Sequence, residues 1–139
     1  MNIKIKKINI DMYEELFQLW KKIEGIGLRN ADKKENIEKY LKRNKGYSFA
    51  AFHDGKLIGS LLAGHDGRRG YLYHLAVNPD FRRKGIAKQL LEQSIEKLKK
   101  SGIKKTHIFI FKSNKEGKKF WKAVGWKYRD DIDVMSKYL

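Results

Sequence analysis

The chain contains no cysteine and only one proline in 139 residues. Without cysteine, neither disulfide bonds nor thiolate chemistry are available, which excludes disulfide-stabilised scaffolds and fits a reducing compartment. No apolar stretch approaches the roughly 20 residues that a membrane-spanning helix needs, and the first eight residues lack the apolar region of a secretory signal. We therefore expect a cytoplasmic protein that has no membrane partner.

Acidic residues are also scarce. The chain has 16 Asp and Glu against 32 Lys and Arg, which gives a formal net charge of +16. Such a field attracts nucleic acid, acidic proteins or a polyphosphate cofactor. The lysines are dispersed over the presumed solvent faces of several helices, which favours solubilising charge. Binding of nucleic acid remains the alternative interpretation.

Only four histidines are present, and no H-x3-H spacing or carboxylate cluster indicates a metal site. No order of Ser, His and Asp indicates a hydrolytic triad. A chain of this length with 41% hydrophobic residues is large enough for one core. We expect a single domain spanning residues 1–139 and no bound metal.

The most informative stretch is an apolar strand over residues 72–77, followed by Pro79, a basic loop and a helix that begins near Ile86. The first turn of a helix has unpaired N–H groups and partial positive charge, so this junction can bind an anion. Gly85 and Ala87 leave room for a phosphate near the backbone. Full positive charges come from four neighbouring side chains: Arg82, Arg83, Lys84 and Lys88.

Hydrophobic periodicity predicts helices around residues 12–23, 33–43, 86–100 and 114–124. It also predicts strands around residues 3–10, 47–52, 57–63, 71–77 and 106–111, with Asp54-Gly55 as a hairpin turn. The first four strands should be antiparallel, whereas the fifth should be parallel to the fourth because a helix crosses between them. We interpret the residues after Gly125 as two more strands, or as a strand and a tail.

The pattern Arg82-x-x-Gly85-x-Ala87 after Leu75–Phe81 resembles the acyl-coenzyme-A-binding motif of the GNAT superfamily of N-acetyltransferases. Downstream, Asn114 and the stretch 120–126 are similar to a second motif of that superfamily. The glycine-rich segment 64–70 resembles a bacterial subgroup of small acetyltransferases called YpeA-like.

This resemblance implies an α/β fold with a mixed, mostly antiparallel sheet of six to seven strands, about four flanking helices and a splay between strands 4 and 5. It implies transfer of an acetyl group from acetyl-coenzyme A to a primary amine of a small molecule or protein, by direct attack in a ternary complex. The residues that it places against the cofactor are Leu75, Ala76, Val77, Arg82, Arg83, Lys84, Gly85, Ile86, Ala87, Lys88, Asn114 and Trp121.

The catalytic groups are harder to assign. The backbone N–H of Leu75 is our candidate for polarising the thioester carbonyl. Many members of the superfamily use a glutamate on strand 4 or 5 as a base, but this chain has Tyr71, Tyr73 and Phe109 at those positions. Tyr73 is our candidate in the acceptor cleft, where it would order a water. Because adjacent strand residues face opposite ways, we interpret His74 as a packing residue.

Other positions remain open. Trp121 stands where the superfamily commonly has a tyrosine that acts as general acid for the thiolate, so Trp121 is expected to wall the pantetheine channel. The proton for the thiolate would then come from Tyr128, Tyr73 or solvent, or no acid is needed. Asn114 would either bind the pantetheine arm or cap its own helix. A domain that binds the cofactor without turnover is a further alternative, and the oligomer would be a monomer or a homodimer. Candidates on the substrate side are Arg29, Asp32, Asp66, Arg69 and Tyr71.

Overall fold

A computed structural model describes residues 2–139, which form two compact units, one extending to Phe109 and the other from Ile110 to Leu139. The smaller unit contains one helix, α4 (Lys115–Ala123). The expectation of a single domain remains a prediction. The larger unit contains β1 (Lys4–Lys7), α1 (Tyr13–Lys22), α2 (Lys34–Arg43), β2 (Phe49–His53), β3 (Lys56–His65), β4 (Gly70–Val77), α3 (Ile86–Lys100) and β5 (Thr106–Ile108).

The strands form one mixed sheet in the order β1-β2-β3-β4-β5. The first three pairings are antiparallel and the β4–β5 pairing is parallel, as expected for strands joined by the crossover helix α3. The β2–β3 hairpin turns at Asp54 and Gly55, which both have positive φ. This is the backbone conformation that the Asp-Gly signal predicts.

Helices cover both faces of the sheet. A Cβ placed on Gly59 would contact Leu90 and Ile86, so this face of β3 packs on α3. The next residue, Ser60, accepts a hydrogen bond from the Trp20 indole of α1, so the opposite face packs on α1. On that second face α1 and α2 contribute to one core cluster: Ile8, Tyr13, Leu16, Leu19, Trp20, Ile37, Ala50, Leu57, Leu62 and Ala76.

The sheet formed by residues 2–139 has five strands, so the expectation of six to seven strands was wrong. β5 ends at Ile108 instead of near residue 111, and no strand follows Gly125. A strand requires a hydrogen-bonded neighbour, and residues 126–139 have none in the described sheet. Their charged side chains interact locally, as in the bidentate contact of Arg129 with Asp131. The fold class is therefore α/β as predicted, with a smaller sheet.

No α-helix within residues 2–139 combines the length and the apolar content needed to cross a bilayer.

Candidate active site

The fourth and fifth strands separate part-way along their length. β4 continues to Val77, but its pairing with β5 covers only Gly70 to Leu72. Beyond Leu72, the edge of β4 on that side has no neighbouring strand in the described sheet. An unpaired strand edge offers N–H and C=O groups to an extended ligand. The predicted splay is therefore present, and it leaves the backbone groups of residues 73–77 that point away from β3 without a strand partner.

A β-bulge lies at the point where the strands separate. In the register with β3, Tyr73 pairs with Leu62 and Ala76 pairs with Ser60, so β4 has one extra residue between these pairs. His74 lies in the bulge and has φ +53, a left-handed conformation in which histidine is more common than most residues. The chain thus stores local strain at this point, as functional sites often do.

The bulge changes which side chains share a face. Leu62 and Ala76 both belong to the α1/α2 core, so Tyr73, the partner of Leu62, also lies on that side. His74 lies on that side too, because its ring contacts Trp20 of α1. Our expectation that Tyr73 and His74 face opposite ways was therefore wrong. The extra residue interrupts the alternation that an undistorted strand would impose.

The loop after β4 has the features of an anion site. Arg83 and Gly85 have φ of +62 and +77, and Gly85 is the residue before the first turn of α3. No side chain caps this helix, and a Cβ on Gly85 would meet nothing within 4 Å. Positive φ values in such loops arrange backbone N–H groups around anions. The loop is therefore open to a phosphate from outside the protein.

The basic side chains around this loop are free. Arg82, Arg83, Lys84 and Lys88 are all exposed, and none forms an ion pair with a carboxylate in the described part of the chain. Their charges are therefore not neutralised internally. Together with the first turn of α3, they form a site suited to a diphosphate.

A buried hydrogen-bonded pair lies beside the bulge. Nε2 of His74 and Oδ1 of Asp32 are 2.6 Å apart, with 14% and 11% of the respective side chains exposed. The other carboxylate oxygen of Asp32 accepts the backbone N–H of Arg29 at 2.9 Å. Burial alone would raise the pKa of Asp32, but the hydrogen bonds from His74 and Arg29 lower it below its usual value. Asp32 is therefore a carboxylate at neutral pH.

Three core groups hold this pair in place. The indole of Trp20 contacts the His74 ring with centroids 4.8 Å apart, and its N–H donates to Ser60 Oγ at 2.9 Å. Ser60 in turn donates to the backbone oxygen of His74 at 3.0 Å. The hydroxyl of Tyr13 donates to the backbone oxygen of Asp32 at 2.7 Å. Both members of the pair are thus fixed through backbone as well as side chain.

Aromatic rings extend from the bulge toward the end of β5. Phe109 stacks on Tyr71 and on Tyr73, with centroids 6.4 Å and 6.3 Å apart, and Tyr40 of α2 approaches Tyr73 edge-on at 6.2 Å. Tyr73 is 37% exposed and Phe109 is 60% exposed. The hydroxyl of Tyr40 is buried and has no hydrogen-bond partner among residues 2–139. Burial, followed by the neighbouring Tyr73, raises the pKa of Tyr40.

The predicted substrate-side residues fall in two places. Arg29 and Asp32 lie next to His74, and Tyr71 belongs to the aromatic surface. Asp66 and Arg69 instead form the β3–β4 turn, at the end of β4 away from the anion loop. The amides of Arg69 and Arg68 donate to Asp66 and hold its pKa below the usual value. The structure therefore does not bring Asp66 and Arg69 together with Asp32.

In the smaller unit, the Oδ1 atom of Asn114 accepts the N–H of Gly117 at 2.8 Å and caps α4. Of the two roles expected for Asn114, the cap is thus observed, while contact with the pantetheine arm remains a prediction. Trp121 packs edge-on against Trp126 with centroids 4.7 Å apart and also contacts Phe120. Its role as a wall of the cofactor channel likewise remains a prediction.

Sequence reasoning missed the pairing of Asp32 with His74. The two residues are 42 positions apart, and no spacing rule links a residue of a short 3₁₀ helix to one in a strand. A faint signal was available, because histidine tolerates the positive φ that a bulge requires.

Residues 2–139 contain no cluster of three or more acidic or histidine side chains arranged to hold a metal ion.

Comparison with known proteins agrees with this geometry. Residues 10–126 match the acetyltransferase (GNAT) family. The chain belongs to the GNAT family of acetyltransferases. An acetyltransferase of Sodalis glossinidius is 28% identical over 137 residues, which cover 99% of this chain and 96% of that protein. With the family established, acetyl-coenzyme A is confirmed as the acetyl donor.

Solved structures share the fold of this acetyltransferase. The PaiA N-acetyltransferase of Thermoplasma acidophilum, in complex with coenzyme A, has a TM-score of 0.80 at 24% identity and covers 95% of this chain and 94% of its own. An aminoglycoside acetyltransferase from an uncultured soil metagenomic sample, in complex with sisomicin, has a TM-score of 0.78 at 19% identity, with coverage of 99% and 96%. At these identities the likeness establishes the fold.

Proposed function

We propose that this acetyltransferase transfers the acetyl group of acetyl-coenzyme A to a primary amine, by direct attack within a ternary complex. The observation that carries the proposal is the unpaired edge of β4 leading into an anion site at the start of α3. One end of this arrangement suits the amides of a pantetheine arm, and the other suits a diphosphate.

The donor would be held mainly by backbone. Along Leu75, Ala76 and Val77, the N–H and C=O groups that point away from β3 would pair with the pantetheine amides, since this edge of β4 has no neighbouring strand in the described sheet. The amides of Ile86 and Ala87 lie in the uncapped first turn of α3, where they suit the diphosphate. Additional charge on the diphosphate would come from Arg82, Arg83, Lys84 and Lys88.

Bound acetyl-coenzyme A supplies an activated thioester whose carbonyl carbon accepts the amine. The N–H of Leu75, in the bulge region of β4, is our candidate donor to the developing oxyanion. Holding the amine beside the thioester replaces a bimolecular encounter, which supplies a large share of the rate enhancement. The Tyr71, Tyr73 and Phe109 surface would position the acceptor, and aromatic faces attract cationic amines.

The acceptor that we infer is a small molecule or protein with a primary amine. Support comes from the sisomicin complex of the structurally similar aminoglycoside acetyltransferase, because sisomicin is the ligand named for that protein. The YpeA-like subgroup, a cytoplasmic location and a monomeric or homodimeric state remain predictions from the sequence.

The proposal is tested by titrating the protein with acetyl-coenzyme A in a calorimeter and then measuring thiol release with a panel of primary amines. We expect saturable binding that weakens with added salt, since the anion site acts through charge. We also expect thiol release that depends on an amine. Binding without thiol release for any amine would instead indicate a domain that binds the cofactor without turnover.

A further inference from the structure

We propose that His74 is the general base of the acetyl transfer and that Asp32 is the residue that positions it. This inference rests on the proposed function, because it assigns the base of that reaction. The buried contact between the two side chains, Nε2 to Oδ1 at 2.6 Å, is the starting observation. The pair would supply the general base, since Tyr71, Tyr73 and Phe109 occupy the positions where many members of the superfamily have a glutamate.

The pairing sets the tautomer of His74. An ionised carboxylate has no proton to donate, so Nε2 of His74 must donate its N–H to Asp32. In the neutral ring, the other nitrogen, Nδ1, then has a free lone pair. Nδ1 has no hydrogen-bond partner within residues 2–139. The only fully buried side-chain N or O atom without a partner in that part of the chain is the Tyr40 hydroxyl, so Nδ1 is not fully buried.

The bulge places His74 at the point where β4 and β5 separate. His74 lies two positions after Leu72, the last residue of β4 that pairs with β5, and immediately before Leu75. It is therefore next to the proposed oxyanion donor and at the opening of the gap. Its φ of +53 is a strained conformation, and the bonds from Ser60 and to Asp32 maintain it.

One negatively charged group faces the His74 ring. From the 3₁₀ helix Asn30–Asp32 the ring faces Asp32. The Asp32 carboxylate also accepts the backbone N–H of Arg29 and is attracted by the positive charge of Arg29. From α1 it faces the uncharged indole of Trp20, and from β3 the Ser60 hydroxyl bonds its backbone oxygen. The adjacent Tyr73 is neutral at physiological pH, because burial raises its pKa. Asp32 would therefore stabilise the imidazolium that forms.

The chemical step balances with one amine and one thioester. His74 Nδ1 accepts a proton from the ammonium group of the acceptor, which generates the neutral amine. The amine nitrogen bonds to the carbonyl carbon as the C–S bond breaks, and the leaving sulfur takes the second proton that the nitrogen releases. The products are the amide and the coenzyme A thiol, and imidazolium returns its proton to solvent.

The test follows thiol release from acetyl-coenzyme A between pH 5 and 9, with water alone as acceptor and with sisomicin as an amine probe. For the wild type we expect the rate with water to rise with pH through one titration. His74→Asn keeps a residue that tolerates positive φ, and it should lower the rate about 100-fold or more and remove that titration. Asp32→Asn should lower the rate about 10-fold or more and move the titration to lower pH.

The control is His53→Asn, because His53 also contacts a neighbouring carboxylate, Asp54, at 3.2 Å but lies at the β2–β3 turn. This variant should keep the wild-type pH profile. If His74→Asn does not fold, as judged by circular dichroism, His74→Gln and Asp32→Asn provide the same readout. The KM for acetyl-coenzyme A should remain within about 3-fold in the His74 and Asp32 variants, because neither residue lies in the anion loop; His53 contacts Phe81 of that loop, so only the pH profile of His53→Asn serves as the control.

Two failures are distinguishable. Absence of acetyl-coenzyme A binding by the wild type would refute the proposed function. Binding with an unchanged pH profile in His74→Asn, or in Asp32→Asn, would overturn the assignment of the base. Binding by the wild type without thiol release to water or to any amine of the panel would refute the proposed function and, with it, the assignment of the base.

Discussion

The anion loop and the Asp32–His74 pair are assembled in different ways. The loop consists of consecutive residues, is exposed, and offers backbone N–H groups and uncompensated positive charge. The pair joins residues 42 positions apart, is largely buried, and has most of its polar atoms, although not Nδ1 of His74, bonded inside the protein. Changes in the loop should therefore affect ligand binding with little effect on stability, whereas changes around the pair should affect both.

The largest effect is expected from Gly85→Glu, compared with Gly55→Glu. The two glycines have φ of +77 and +76, and neither has an atom within 4 Å of an added Cβ. The cost of an L side chain should thus be the same at both sites, roughly 1–2 kcal/mol. Only at position 85 would the new carboxylate repel a diphosphate, so calorimetry should show the affinity for acetyl-coenzyme A reduced about 100-fold or more. Equal affinities of the two variants for acetyl-coenzyme A would show that the anion loop is not part of the donor site.

The next effect concerns the stability of the pair. Asp32→Asn should lower the free energy of unfolding by about 1.5–3 kcal/mol at pH 7, because it removes charged hydrogen bonds in a buried site. The folded-state pKa of Asp32 is lowered, so its ionisation stabilises the protein above about pH 4, and this contribution is lost as the pH falls through the folded-state value. Urea unfolding at pH 7, 5 and 3.5 should show the difference from wild type shrinking only in the acid range.

Asp54→Asn is the matched control for this pH dependence. Asp54 also contacts a histidine, but 86% of its side chain is exposed, so its substitution should change stability by less than about 0.5 kcal/mol. A similar loss in both variants would show that burial contributes nothing to the Asp32–His74 interaction.

A smaller effect is expected from Ser60→Ala. This change leaves the buried N–H of Trp20 without its acceptor, which should cost about 1–2 kcal/mol of unfolding free energy. It should leave the affinity for acetyl-coenzyme A unchanged while lowering the rate of thiol release, because His74 loses one of its supports. Ser101→Ala removes only exposed hydrogen bonds, to Tyr47 and Lys97, and should lower the unfolding free energy by less than about 0.5 kcal/mol without changing the rate. A loss of acetyl-coenzyme A affinity in Ser60→Ala would contradict the prediction that the anion loop and the Asp32–His74 pair act independently.

The smallest effect is expected at Asn114. Replacing the cap of α4 by alanine should cost about 1 kcal/mol, and Asn114→Asp should restore most of it, since aspartate is an equally good cap. If capping is the whole role of Asn114, the affinity for acetyl-coenzyme A in Asn114→Asp should equal that of the wild type. A stable Asn114→Asp variant with reduced affinity would instead support contact with the pantetheine arm.

Local signals predicted most of the donor side. The strand, basic loop and helix over residues 72–100 are contiguous, so periodicity and the glycine at position 85 were sufficient to locate them. The Asp54-Gly55 hairpin was predicted for the same reason, because its conformation depends on two adjacent residues. The number of strands was not predictable in this way, since residues after Gly125 form a strand only if a neighbour pairs with them.

The acceptor side depends on tertiary structure. A bulge is a relation between two strands, and the extra residue in β4 is visible only in its register with β3. Without the bulge, alternation would have separated Tyr73 from His74 and hidden the latter in the core. The contact of His74 with Asp32 then requires α1 and the 3₁₀ helix to pack on the same face. None of these conditions is encoded in a short motif.

The most direct test of the donor site is amide hydrogen exchange measured with and without saturating acetyl-coenzyme A. We predict slower exchange in two stretches of the larger unit, residues 75–77 on the open edge of β4 and residues 85–88 at the start of α3. Unchanged exchange in both stretches while acetyl-coenzyme A is bound would contradict the account.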